Sequence, residues 1–105
     1  MLSEPLTVTG QPTEPYLHID NRGLVVYDGN RGVVFAGALM GWVRETIELL
    51  LDEKRATRHR GDHYLGGWVD EAAGVVTVYA GPENGLVSLQ VSVDTLAGLR
   101  DRLRS

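Results

Sequence analysis

The residues that could do chemistry are few and lie unevenly along this chain of 105 residues. Its histidines are His18, His59 and His63, and the last two fall in the run His59-Arg60-Gly61-Asp62-His63. With Asp70 further on, His59, Asp62 and His63 offer nitrogen and oxygen donors of the kind zinc accepts. A zinc site needs about four ligands held by a second shell. The His-x-x-Asp-His spacing falls in a stretch without periodicity, which reads as a loop and holds no ligand in register, so no metal site is assigned. The chain has no cysteine, which removes thiolate nucleophiles, thiolate metal ligands and disulfides together. Ser3, Ser88, Ser92 and Ser105 stand outside any Gly-x-Ser-x-Gly elbow. The carboxylate pairs Glu45 with Glu48, and Asp52 with Glu53, sit on the polar side of a helical pattern, where they solvate the helix. The glycines lack the Gly-x-x-x-x-Gly-Lys spacing that cradles phosphate. No catalytic set and no cofactor fingerprint emerges, and the expectation leans away from an enzyme.

Two features remain that point to binding. Lys54-Arg55-Ala56-Thr57-Arg58-His59-Arg60 carries four of the ten basic residues of a chain whose net charge is −4. Compensation of a helix dipole accounts for Lys54 and Arg55 but leaves Arg58 and Arg60. Those two suit an acidic partner or another anion, nucleic-acid phosphate being one version, although the acidic balance weighs against a general nucleic-acid binder. The second feature is aromatic. Tyr64 and Trp68 share one face of a strand with Gly66, and Tyr79 and Tyr27 are further candidates. Gly66-Gly67 would leave a shallow bare patch beside the rings. Tyrosine, tryptophan and arginine dominate protein-binding surfaces. The opposing reading puts Trp68 over a glycine on the core side of the sheet.

The elements that must position these residues are organised around one long helix, read over Ala38 to Arg55. Leu39, Met40, Val43, Ile47, Leu50 and Leu51 recur at three-and-four spacing, the mark of a buried helical face. Trp42 and Leu49 widen the apolar arc to roughly 200°, more than one sheet covers. The excess must meet a second helix, a folded-over loop or another subunit. Because the C-terminal helix offers only the narrow stripe Leu96, Leu99 and Leu103, the expectation is a symmetric homodimer with Trp42 and Leu49 near its two-fold contact.

Around the helix the chain reads as strands. Tyr16 to Asp20, Leu24 to Tyr27 and Val33 to Ala36 precede it, separated by the turns Asn21-Arg22-Gly23 and Asp28 to Gly32. After it, Ala56 to Asp62 reads as a polar loop, followed by strands at His63 to Val69, Val75 to Ala80 and Leu86 to Val93. A short helix, Asp94 to Arg104, closes the chain, with Ser92 or Asp94 as its cap. The halves echo one another: Tyr16-Leu17, Asp20 and Gly23 to Tyr27 match Tyr64-Leu65, Asp70 and Gly74 to Tyr79. The expected fold is α+β, an antiparallel sheet in βββαβββα order with both helices packed on one face. From Gly23 onward the order of elements resembles that of profilin-like or longin-type domains, two strands, helix, three strands, helix; the resemblance extends to that order alone.

Residues 1–15 form a proline-rich N-terminal arm and 16–105 a single domain in this reading. The arm lacks the charged and apolar regions of a secretory signal, and no apolar run approaches the ~20 residues that span a bilayer, so a soluble, cytoplasmic protein is expected. The expected function is a small non-enzymatic protein-interaction domain of adaptor, inhibitor or immunity type, using Trp42, Leu49, Arg58, Arg60, Tyr64 and Trp68. The alternatives are a nucleic-acid-associated protein using residues 54–60, and a small enzyme or ligand-binding protein with its pocket between helix and sheet.

Overall fold

The computed structural model describes residues 14–104. The arm lies almost wholly outside them. Strands β1 (Tyr16–Asp20), β2 (Gly23–Tyr27) and β3 (Gly32–Phe35) form an antiparallel meander. Its register places Leu17, Leu24, Val26 and Phe35 on one face, and all four are buried in the core. Each turn is locked by an aspartate. Asp20 accepts the Arg22 backbone N–H at 2.8 Å, and the Arg22 guanidinium at 2.7 Å holds its carboxylate well below the usual range. Asp28 accepts the N–H groups of Asn30 and Arg31, which lowers its pKa. Asp70 does similar work in the second half, accepting the Ala73 N–H. The sequence echo therefore has a local structural counterpart.

A short 3₁₀ turn, Gly37–Leu39, leads into helix α1 (Met40–Glu53). Trp42, Val43, Thr46, Ile47, Leu50 and Leu51 are its buried residues. Thr46, though polar, is fully buried; its hydroxyl donates to the Trp42 carbonyl at 2.8 Å and so is satisfied within the helix. The helix stops at Lys54, which has φ 67, the only non-glycine among the described residues with positive φ. A left-handed residue at this position reverses the chain. Lys54 Nζ donates to the Leu51 carbonyl at 3.1 Å, tying off the last turn.

Because the chain reverses at Lys54, no loop intervenes. Strand β4 (Arg55–Arg60) begins at the next residue and pairs along its whole length with β5 (His63–Asp70). The segment read as a loop is thus a strand and a tight turn, and the order is βββαββββα. The strand was hidden because Ala56 is its one apolar residue, so no hydrophobic alternation marks it. Strands β6 (Val75–Pro82) and β7 (Val87–Ser92) complete a sheet in the order β4-β5-β6-β7. Ala56, Leu65, Val76, Val78, Ala80, Val87 and Leu89 line its core face. Of the helical face expected to be buried, Val43, Ile47, Leu50 and Leu51 are buried, while Leu39 and Met40 are half-buried, as is Val91 on β7.

Helix α2 (Val93–Arg104) is capped by Ser92, whose Oγ accepts the Thr95 N–H at 3.0 Å. It packs on β6 and β7, while α1 packs on β4 and β5 and against α2. Arg104 reaches Glu48 of α1 at 2.8 Å, and Arg102 donates to the Ile19 carbonyl of β1 at 3.2 Å. The α+β class, the antiparallel pairing and the two helices on one face agree with the sequence reading. What differs is that the strands before α1 pair only among themselves. They form a separate sheet packed against β7 and α1, and four strands, not three, lie between the helices, which sets the chain apart from the profilin-like order.

This second sheet covers the flank of α1. Trp42 is 6 % exposed and its ring lies 6.0 Å from that of Phe35 on β3. The expectation that Trp42 needs a second copy to cover it is corrected: the cover comes from the same chain. Leu49, by contrast, is 41 % exposed. Ile47→Ala should cost about 2–5 kcal/mol and Trp42→Ala about 3–5 kcal/mol in urea unfolding. Leu49→Ala should stay within about 0.5 kcal/mol, as surface changes do. A Trp42→Ala variant as stable as Leu49→Ala would show that the three-stranded sheet does not dock on α1.

Candidate functional site

The four-stranded sheet has a second face. Register puts Arg55, Thr57 and His59 of β4 beside Trp68, Gly66 and Tyr64 of β5, and these beside Thr77, Tyr79 and Gly81 of β6, with Gln90 and Ser88 of β7 beyond. The helices lie on the opposite face, and Arg55, Thr57, His59, Trp68, Ser88 and Gln90 are all exposed. Strands set these side chains rigidly, about 4.5–5.5 Å apart across each pair.

Gly66 holds the face together. It sits between Thr57 and Tyr79 in the register, and the hydroxyls of those two residues hydrogen-bond to each other across it. A Cβ at Gly66 would lie 2.6 Å from the Ala56 carbonyl oxygen and 3.0 Å from Thr57 Oγ1, so no side chain fits. The glycine pair is therefore not a bare patch; Gly66 and Gly67 are both buried. Trp68 flanks the bridge with its ring 6.2 Å from Tyr79 and is 48 % exposed, which settles it on the solvent side of the sheet. His59 stacks on Tyr64 at 5.4 Å, and Gln90 donates to Thr77 Oγ1 at 3.4 Å. The result is an open, uncharged aromatic and hydroxyl surface with Arg55 and His59 on its rim. It can make hydrogen bonds and ring contacts.

The residues singled out from the sequence separate into different places. Tyr64 and Trp68 come together on this face. Trp42 is in the core, and Leu49 is on the far side of α1. Arg58 points to the core side of β4, where Nη1 lies 3.5 Å from Glu45 and donates to Thr46 Oγ1 at 3.4 Å. It ties β4 to α1. Arg60 is exposed at the hairpin end. Thr57 and Arg55 were missed as members of the face because β4 was missed. One signal marked it: Gly61-Asp62 is a two-residue hairpin loop, with Gly61 at φ 60 as a Gly-first turn requires.

The histidine and aspartate constellation does not converge. His59 lies on the outer face, whereas His63 lies on the core side with its ring 5.9 Å from Phe35. Asp62 is in the turn, and Asp70 stands at the other end of β5, roughly 20 Å along the strand. Among the described residues no group of three such side chains could hold a metal ion. A hollow of about 280 Å³ is lined by Asp62, Pro82, Glu83 and Asn84, at the end of the sheet rather than between helix and sheet.

Gly66→Val should destabilise the protein by at least about 1–3 kcal/mol, the typical overpacking cost, and alter the near-ultraviolet circular dichroism of Trp68 and Tyr79. Arg58→Ala should lower stability measurably more than Arg60→Ala, by up to about 1 kcal/mol, while Arg60→Ala stays close to the parent protein. Equal thermal melts for the two arginine variants would show that Arg58 does not tie β4 to α1. Comparison of the chain with family models, with curated proteins and with solved structures returned no match.

Proposed function

We propose that this protein is a small non-enzymatic interaction domain that binds another protein through the outer face of its four-stranded sheet. The observation that carries this reading is Trp68. A tryptophan half in water, on a rigid strand, beside Tyr79 and opposite Arg55, has the residue types and placement of a binding hot spot. Strand side chains lose little freedom on binding, so their contact area converts efficiently to affinity. α1 and α2 pack on the opposite face of the sheet, so the outer face is open to a partner. A soluble, cytoplasmic setting fits this role, and no helix among the described residues is long and apolar enough to cross a membrane.

The nucleic-acid reading rests on residues 54–60. It is weakened by Arg58, whose guanidinium is engaged with Glu45 and Thr46, and by the outer face, whose centre bears rings and hydroxyls rather than cations. Self-association is also to be tested: Trp42 is internal, which leaves exposed Leu49 and the outer face as surfaces on which a homodimer could form.

The test is affinity capture from the native host, followed by titration of the captured protein against variants. Trp68→Ala should weaken binding tenfold or more while leaving stability within about 0.5 kcal/mol. Light scattering on the same variant reads self-association. Unchanged affinity with Trp68→Ala would sink the reading, and a steep salt dependence with nucleic acid would replace it.

A further inference from the structure

Strand β4 is an edge: β5 is its one strand neighbour among the described residues. The Val69 N–H donates to the Lys54 carbonyl at 2.8 Å, which makes Lys54 and Val69 a hydrogen-bonded pair of the ladder. Antiparallel ladders alternate, so Ala56, Arg58 and Arg60 turn their backbone groups toward β5. Arg55, Thr57 and His59 turn theirs outward. These are the same three residues whose side chains lie on the outer face. A row of outward N–H and C=O groups is a template for an added strand.

The side chains along that edge determine which strand it can take. Residues 54–60 carry four cations and no acid, whereas the rest of the chain has six cationic against fourteen acidic residues, a net of −8. Arg58 is engaged with Glu45, while Arg55 and Arg60 make no ion pair among the described residues. A second copy fits poorly. An antiparallel copy centred on Thr57 sets Lys54 against Arg60, and one centred on Arg58 sets that arginine against itself. Like charges directly opposite are destabilising.

We propose that the β4 edge takes an extended acidic segment of a partner protein as a fifth strand of this sheet. The inference rests on, and deepens, the reading of this sheet as a protein-binding element. The segment's backbone pairs with Arg55, Thr57 and His59. Its side chains alternate: those on the outer face stand beside Arg55 and extend the Trp68 surface, those on the other face stand beside Arg60. Carboxylates at both places complement the two unpaired arginines, while proline is excluded wherever the segment must donate an N–H.

The experiment uses the full chain and a phage library of random twelve-residue peptides, with the double variant Arg55→Glu, Arg60→Glu selected in parallel. Selection should enrich aspartate and glutamate at two positions about five residues apart, on opposite faces of the strand, and deplete proline relative to the starting library. The most enriched peptide, synthesised, should slow amide hydrogen exchange of Arg55, Thr57 and His59 tenfold or more. The double variant should bind it at least tenfold more weakly. The proposal is overturned if no peptide is enriched, if the enriched peptides carry no acidic bias, or if methylating the peptide's alternate amides leaves affinity unchanged. It is also overturned if a single-stranded DNA oligonucleotide displaces the peptide and shifts the Arg55 and Arg60 resonances with a steep salt slope, which would make the edge a phosphate site. Acidic peptides that protect the edge amides but bind Trp68→Ala unchanged uphold the added strand and overturn the Trp68 reading. Peptides without acidic bias that depend on Trp68 do the reverse.

Discussion

Helix α1 carries more apolar surface than one sheet can cover, and the rest of the architecture answers that excess. One part of its arc lies on β4 and β5, another meets α2, and the flank bearing Trp42 meets Phe35 of the three-stranded sheet. Transfer of apolar area from water is worth about 25 cal/mol per Å², so a tryptophan and a phenylalanine hidden together contribute several kcal/mol. That contact draws two sheets with no shared ladder into one core. Arg31 to the Leu86 carbonyl fastens the two sheets at their rims, and Arg102 of α2 to the Ile19 carbonyl fastens that helix to the three-stranded sheet. Solvent-exposed bonds of this kind fix orientation more than they stabilise.

The second constraint is the abrupt end of α1. A left-handed Lys54 allows no connecting loop, so β4 must begin at once and lie beneath the helix it has just left. Its arginines are then divided by the strand's period of two. Arg58 turns under α1 and becomes structural, while Arg55 turns to the outer face. One basic segment thereby acquires two roles. The edge position belongs to the same segment: among the described residues β5 is the one strand that flanks β4. Cations along such an edge disfavour pairing with a like-charged strand, and they are the basis for proposing an acidic one.

The outer face depends on absence of a side chain as much as on presence. Only a glycine between Thr57 and Tyr79 lets their hydroxyls meet, and that bridge fixes the Tyr79 ring against which Trp68 stands. The face is thus ordered by contacts within the chain itself, the condition under which the proposed binding would carry a low ordering cost.

Much of this was legible in the residues themselves. Period-two and period-three-and-four patterns located both helices and six strands, and the aspartate-led turns located the meanders, because such patterns record which side of each element meets the core. The arc of α1 announced that something must cover Trp42. Only the tertiary structure decided what. Hydrophobicity is non-directional, so a sequence can state that a flank must be buried without naming the surface that buries it. β4 was opaque for a related reason: an edge strand with one inward apolar residue leaves no hydrophobic rhythm, and its pairing is specified by β5 and by the turn at Gly61-Asp62. The split of Trp42 from Trp68, one in the core and one in water, likewise came from packing. Both are tryptophans beside apolar neighbours in the chain, and what separates them is the three-stranded sheet that covers the first and the open sheet face that leaves the second exposed.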